Sequence, residues 1–590
     1  MDFENLLQVL KVSEIPSNPR LVSTSYRLHK LFPELNKICP KLDYPGVPYN
    51  GLRSLVKILH RLVSIVIAKV EARDDLQKIT DVLDLFTRLT ETMVAQAVVQ
   101  LRENSEKIPE EQKFDIFLKN VACWWQFAKH NRALLTSYFG DHMLFYLDPT
   151  LSSFIVGCTH SMAALRSPVD AVGCAVNSSY RGHLISEYLI NGSLYYPLKV
   201  WALLDNPLFN GISSMQASKF NVLTKTIHVP RQKQWIIPAD GRPVQNQHQQ
   251  SKPLGLPLMD DKPVRCRLLR SKMYPPNGKL IIHISGGGFV MFKPEINEGC
   301  YLQYWAGNLS GTTLLSLDYT KLVVYPRAFQ EALDVYLWAT SGQDDAIAGL
   351  GFKPEDVVLC GDSAGSHLAF SICRALQDIR QECKLQNSND ISNAGNDGLH
   401  GDANFIFPSA FVSFYSNMTV AQNQCSLGLT CLEAALTPSV LLSLYGLIAS
   451  GLVMDEDEEI DGLAAYSNPN PMRDNWRTWF SHGKNWFNCE PEELIRRFDT
   501  IRRNTSKAYL RPMTDEDLSQ LADLRLFVIC GEFDFFLDGC INLAKAWKGP
   551  IKLDIVENVN HGFLSYSKIS RECRQGSRLG LRRLREALNI

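Results

Sequence analysis

"VVLCGDSAGSHLAF", residues 357–370, is the stretch whose reading decides the fold. Its opening residues, Val357 to Cys360, suit a β-strand, and the residues after Gly365 have the spacing of a helix. Between them stands Gly361-Asp362-Ser363-Ala364-Gly365, a G-x-S-x-G turn in the strand-to-helix setting of a nucleophile elbow. So tight a turn leaves no room for side chains at the flanking glycines. It projects the serine hydroxyl at the amino end of the following helix, where the helix dipole favours developing negative charge. The bare pattern is common in ordinary turns, and its setting is what makes Ser363 a candidate nucleophile. Asp362 supports the motif.

Working outward, short apolar runs alternate with helical stretches from about residue 278. The runs are "KLIIHIS" (279–285), "TTLLSLDY" (312–319), "DVVLCG" (356–361), "FIFPSAFVSFYS" (405–416), "LRLFVICG" (524–531) and "IKLDIVEN" (551–558). Runs this apolar fit strands covered on both faces, so the fold class is α/β, a mostly parallel sheet with helices on both faces. Residues 1–220 read as mainly helical, with Trp124 and Trp125 as helix core and 54–70 as an amphipathic core helix and not a membrane span. The expected division is a helical amino-terminal domain over 1–270 and a catalytic domain over 271–590. The texture of 235–278 is that of a connector, and 384–402 reads as a polar surface loop. Residues 420–515 form a long insertion, in which "SVLLSLYGLIASGLVM" is expected to cover an acyl pocket, to meet a lipid surface or to be a buried structural helix.

Composition narrows the function classes. The chain has 590 residues, a net charge near −1, 45% hydrophobic and 21% charged residues, as in a folded soluble protein. Without a global positive field, nucleic acid is not an implied partner. Fifteen cysteines without a CxxC pair, behind an opening that lacks a signal-peptide pattern, lead us to expect reduced thiols in the cytoplasm.

A nucleophilic serine needs a base, and the base an orienting acid, in the chain order Ser, Asp/Glu, His. "LFVICGEFDFFLDG" (526–539) ends a strand in a loop holding Glu532, Asp534 and Asp538. The next strand leads to His561 in "NHGFLSY". Both groups thus follow successive strands, at the carboxyl ends where open α/β sheets keep their sites. Acyl transfer also needs backbone N–H donors for an oxyanion. "IIHISGGGFV" (281–290) supplies a glycine loop after an early strand, and Gly287 and Gly288, with Ala364, are the expected donors. Ser285 and Gly286 open that loop. A nucleotide phosphate loop is the competing reading, and it fails because neither G-x-G-x-x-G nor G-x-x-x-x-G-K-[ST] is present.

These residues resemble the hormone-sensitive lipase family of α/β-hydrolases. "HISGGGF" is similar to its H-x-H-G-G-G-F loop, "GDSAG" to its nucleophile motif, and "DFFLDG" and "NHGFL" to its acid and histidine segments. "NPRLVSTSYRLHKLFPEL" and "YPGVPYNGLRSLV" extend the resemblance to the animal type, which has a helical amino-terminal domain. By position, the resemblance implies Ser363 as nucleophile, Asp534 as acid with Asp538 as fallback, and His561 as base. It further implies a cytoplasmic neutral lipase without metal or cofactor, hydrolysing diacylglycerol, triacylglycerol, cholesteryl or retinyl esters at lipid droplets. A homodimer and a regulating kinase are implied by the family alone. Ser285 stands where the family has His, and its hydroxyl is expected to brace the turn. Ser366-His367 replaces Gly-Asn, "DYTKLVVYPRAF" lacks A-P-E, and "DFF" replaces D-P-x. "RRNTS" (502–506) makes Thr505 and Ser506 candidate phosphorylation sites, its plainer reading being a solvated basic surface. A short-chain carboxylesterase and a catalytically inactive lipid-binding relative are the alternative functions.

Overall fold

The computed structural model describes residues 6–9, 18–72, 76–103, 110–166, 168–191, 219–232, 234–238, 242–245, 262–321, 323, 325–390, 405–416, 424–434, 436–450, 509 and 513–590. Thr505, Ser506 and most of 420–515 lie outside the described residues.

Eight strands form one sheet: β1 (Val222–Val229), β2 (Val264–Ser271), β3 (Lys279–Ile284), β4 (Thr313–Asp318), β5 (Asp356–Asp362), β6 (Ala410–Phe414), β7 (Arg525–Gly531) and β8 (Ile551–Val556). Their spatial order is β1-β2-β4-β3-β5-β6-β7-β8. Only β2 runs against its neighbours β1 and β4; the other pairs are parallel. The central strands β3, β5 and β6 are buried along almost their whole length, as their unbroken apolar runs require. Phe411 and Phe414, an odd number apart on β6, point to opposite faces. Phe411 meets Phe370 of the helix Ala364–Asp390, with ring centres 4.4 Å apart. Phe414 stacks on Trp305 at 5.5 Å and lies against Gly580 of the helix Arg571–Ala587. Helices therefore cover both faces.

The sheet draws on residues ahead of the boundary expected at 271, because β1 and most of β2 precede it. Arg265 and Arg267 of β2 point outward and pair with Glu295, Asp318 and Glu298, while Val264, Cys266 and Leu268 are buried. This is the alternation of an antiparallel strand with one polar face. The polar stretch read as a loop from residue 384 begins inside the helix Ala364–Asp390.

The amino-terminal region is built from helices, among them Gly51–Glu71, Leu76–Glu103, Glu110–His130 and Ser178–Asn191. Gly51–Glu71 buries Leu52, Leu55, Leu59, Leu62 and Val66 along one stripe. Trp124 and Trp125 are core residues: Trp124 packs on Gly428, and the Trp125 indole donates to the Ile190 carbonyl at 2.7 Å. No helix of the described residues is long and apolar enough to cross a membrane. The described parts of the insertion, a 3-10 helix over Cys425–Leu432 and a helix over Pro438–Ser450, sit against these amino-terminal helices. The Asn120 amide donates to the Gln424 carbonyl at 3.1 Å and the Ser439 hydroxyl to that of Leu189 at 2.7 Å.

Candidate active site

Ser363 follows β5 with φ +52, a left-handed conformation that non-glycine residues adopt only when their surroundings impose it. Its N–H donates to the Phe414 carbonyl at 2.9 Å. The flanking glycines are required sterically. A Cβ on Gly361 would stand 2.6 Å from the Gly365 backbone, and one on Gly365 would stand 2.0 Å from the Ile284 carbonyl oxygen.

The serine hydroxyl lies 3.0 Å from His561 Nε2. His561 Nδ1 is 3.0 and 3.1 Å from the two carboxylate oxygens of Asp534. An ionised carboxylate only accepts, so Nδ1 carries the proton and Nε2 is left to accept from Ser363. Asp534 is fully buried and also accepts the Phe536 N–H at 2.8 Å. The imidazole is packed by Phe535, stacked at 4.8 Å, Tyr415 at 4.9 Å and Phe536 at 5.3 Å. The two phenylalanines that replace the proline segment thus hold the histidine ring.

Asp538, the fallback acid, is elsewhere. It accepts from the Gly51 N–H at 2.8 Å, the Ser426 N–H at 2.7 Å and the Cys425 thiol at 3.0 Å. It therefore ties the helix Gly51–Glu71 and the insertion to the helix Leu537–Ala546, whose first turn holds it. Glu532 is likewise engaged, by Lys57 Nζ at 2.6 Å.

The glycine loop after β3 runs through Gly287 at φ +105 and Gly288 at φ +62. A Cβ on Gly287 would lie 2.2 Å from the Met291 carbonyl oxygen, and one on Gly288 would lie 2.9 Å from Leu444 Cδ1. Gly286 N–H is committed to Asp362 Oδ1 at 3.1 Å. Among the described residues, the amides of Gly287, Gly288 and Ala364 have no acceptor. Among the described residues the fully buried Ser285 hydroxyl has no partner, so it does not brace the turn as expected. The brace is the Ser285 carbonyl, which accepts from the Tyr319 hydroxyl at 3.1 Å.

Asp362 joins loop and elbow. Besides Gly286 N–H it accepts from the Tyr301 hydroxyl at 3.0 Å and from that of Tyr415 at 3.3 Å. Burial holds both phenols well above their ordinary pKa, so they remain donors. His283 sits behind them, 3.0 Å from the Ser316 hydroxyl and 3.1 Å from that of Tyr301. Sequence reasoning named neither His283 nor the two tyrosines; a histidine inside an apolar strand was the available signal. It also missed Glu433, a buried carboxyl pushed up to about 7 by desolvation, which accepts from the Asn560 amide at 3.2 and 3.4 Å. Burial lowers His367 to about 4 and keeps it neutral, with the rings of Phe289 and Phe329 edge-on to it.

Residues 281–392 match a protein family described as alpha/beta hydrolase fold. The hormone-sensitive lipase of Bos taurus is 37% identical over 127 residues, 21% of this chain and 16% of the relative. That of Homo sapiens is 37% identical over 105 residues, 18% of this chain and 9% of the relative. The matches thus span a small part of these relatives' length. Among solved structures, esterase LipW from Mycobacterium marinum aligns with a TM-score of 0.41 and 15% identity, over 69% of this chain and 96% of that one. Residues 281–392 thus carry an α/β-hydrolase fold, and over a short part of its length this chain is similar to the hormone-sensitive lipases.

Proposed function

We propose that this chain is a serine hydrolase of carboxylic esters, with lipid esters such as di- and triacylglycerol as its substrates. The observation that carries the reading is the unbroken chain of contacts from Ser363 Oγ to His561 Nε2, 3.0 Å, and from His561 Nδ1 to Asp534, 3.0 Å. In the first half-reaction the Ser363 oxygen attacks the ester carbonyl carbon while its proton passes to His561 Nε2. Asp534 keeps the imidazole in the tautomer that can accept it and stabilises the imidazolium. Negative charge gathers on the former carbonyl oxygen, to which Gly287, Gly288 and Ala364 offer N–H groups. Collapse expels the alcohol, which takes the proton from His561 and leaves an acyl-serine. Water, deprotonated by His561, then releases the acid and restores the serine.

The lipid-ester preference rests on the similarity to hormone-sensitive lipases, as does an assignment to the cytoplasm with recruitment to lipid droplets. The test is a panel of emulsified diolein, triolein and cholesteryl oleate beside soluble butyrate esters, run with Ser363→Ala as control. Release of fatty acid from diolein that Ser363→Ala abolishes is the expected result. Cleavage of butyrate esters alone would assign a short-chain esterase. No fluorophosphonate labelling of Ser363 would defeat the hydrolase reading.

A further inference from the structure

We propose that the helix Gly51–Glu71 of the amino-terminal region is a positioning element for the catalytic triad, with Lys57 and Arg61 holding the Asp534 loop against the His561 loop. The inference rests on the Ser363–His561–Asp534 reading above. After β7 and β8 the two loops run side by side. Glu532 N–H donates to the Val556 carbonyl and Phe533 N–H to that of Val559, each at 2.9 Å. The next residue, Asp534, gives its N–H to the Gly531 carbonyl at 3.3 Å and meets His561 through its side chain. The Glu532 carboxylate closes the seam from outside, accepting the Asn558 N–H at 2.9 Å. Asn558 stands at φ +59, a conformation that Asn tolerates better than most residues but that still needs support.

That support comes from the amino-terminal helix. Lys57 Nζ lies 2.6 Å from the Glu532 oxygen that takes the Asn558 amide. The Ser54 hydroxyl donates to the Glu532 carbonyl at 2.5 Å, and Arg61 Nη2 donates to Asn558 Oδ1 at 2.6 Å. Lys57 and Arg61 stand 5.6 and 5.8 Å from the centre of the Phe533 ring, which Tyr146 meets edge-on at 5.1 Å. Positions 54, 57 and 61 are spaced three and four apart, so one helix face grips both loops. Lys57 touches none of the triad residues; it acts through Glu532, two residues from the acid. Glu532 is only 5% exposed, so without Lys57 its carboxylate has to move toward water, and the seam moves with it.

The test uses the full chain with a soluble butyrate ester and compares wild type, Lys57→Met, Arg61→Met and Lys57→Arg. Misplacing a catalytic group by a fraction of an ångström predicts a fall in kcat of roughly 10–100-fold for the Met variants with KM little changed. A less well held Asp534 stabilises the imidazolium less, so the acidic limb of the kcat/KM profile shifts to lower pH. Lys57→Arg, which keeps the cation, restores most of the kcat. Wild-type kcat and an unmoved acidic limb in Lys57→Met would overturn the inference whatever the melting temperature does. If Lys57→Met does not fold, Arg61→Met decides on the same readouts. Fluorophosphonate labelling separates the two ideas. Unlabelled wild type removes the triad reading and this one with it, whereas equal labelling rates in wild type and variants remove this one alone.

Discussion

Asp534 and Asp538 are four residues apart, both are buried, and either suits a triad by sequence, so replacing each by Asn separates chemistry from folding. In Asp534→Asn the side-chain amide can donate to His561 Nδ1, which favours the tautomer with the proton on Nε2. That tautomer cannot take the proton of Ser363, 3.0 Å away. In the well-studied serine proteases this change costs about 10⁴ in kcat, or roughly 5.5 kcal/mol of barrier, and the same geometry predicts the same loss here. Asp538 does different work: its two oxygens serve the Gly51 and Ser426 amides and the Cys425 thiol. Asn keeps one of those oxygens and turns an NH₂ toward a buried N–H, at a cost of about 1–3 kcal/mol of folding free energy. Asp538→Asn is therefore expected to melt several degrees earlier and to keep most of its kcat. Paired measurements of butyrate-ester kcat and thermal midpoint decide the matter. If Asp538→Asn were folded but inactive while Asp534→Asn turned over normally, the acid would be misassigned and the reasoning refuted.

Three further outcomes follow from the same contacts. Glu433 has a folded pKa of about 7, raised from 4.5, so its contribution to stability is complete below pH 4.5 and is lost as pH rises through 7. The loss amounts to about 3 kcal/mol, and urea denaturation at several pH values should give a slope that is flatter in Glu433→Gln; parallel curves would discard the idea. Ser285→Ala removes a buried hydroxyl that has no partner among the described residues, so its stability should be unchanged or higher by about 1 kcal/mol, read from the urea midpoint. Gly288→Ala puts a Cβ at φ +62 and 2.9 Å from Leu444 Cδ1, which costs about 1–2 kcal/mol in strain alone. Displacing its amide should also slow fluorophosphonate labelling about 100-fold, and wild-type labelling would remove Gly288 from the oxyanion donors.

What could be read from the sequence followed from how local each signal is. The elbow, the glycine loop and the six parallel strands announce themselves, because apolar runs and glycines at fixed offsets reflect constraints within a few residues. β1 and β2 escaped because their outward faces are polar. Arg265 and Arg267 look like a soluble connector until Glu295, Glu298 and Asp318 are seen opposite them. The sequence favours Asp534 but does not exclude Asp538, since sequence order does not say which carboxylate the folded chain turns toward His561. The tyrosines on Asp362, the carboxyl of Glu433 and the Lys57 cation on Glu532 were illegible for a stronger reason. Their partners lie 53 to 475 residues away in the chain, and nothing local distinguishes them from ordinary core or surface residues.

The amino-terminal helices and the insertion bear on the chemistry through a chain of contacts that the sheet alone does not contain. Gly288 faces Leu444 of the helix Pro438–Ser450, and that helix bonds back to the loop after β4 through the Ile448 carbonyl, 3.0 Å from the Tyr325 N–H. On its far side Tyr445 meets Phe117 at 5.3 Å and Ser439 bonds to Leu189, both in amino-terminal helices. The glycine loop is thus held between Asp362 beneath, which takes the Gly286 amide, and an apolar layer above that is anchored outside the α/β domain. A loop with positive φ at consecutive glycines has little intrinsic preference for one shape. Both contacts hold it in one shape, so the insertion helix walls the glycine loop on the side away from Asp362. That is why a helix with the composition of "PSVLLSLYGLIAS" is buried against protein along Val440 to Tyr445.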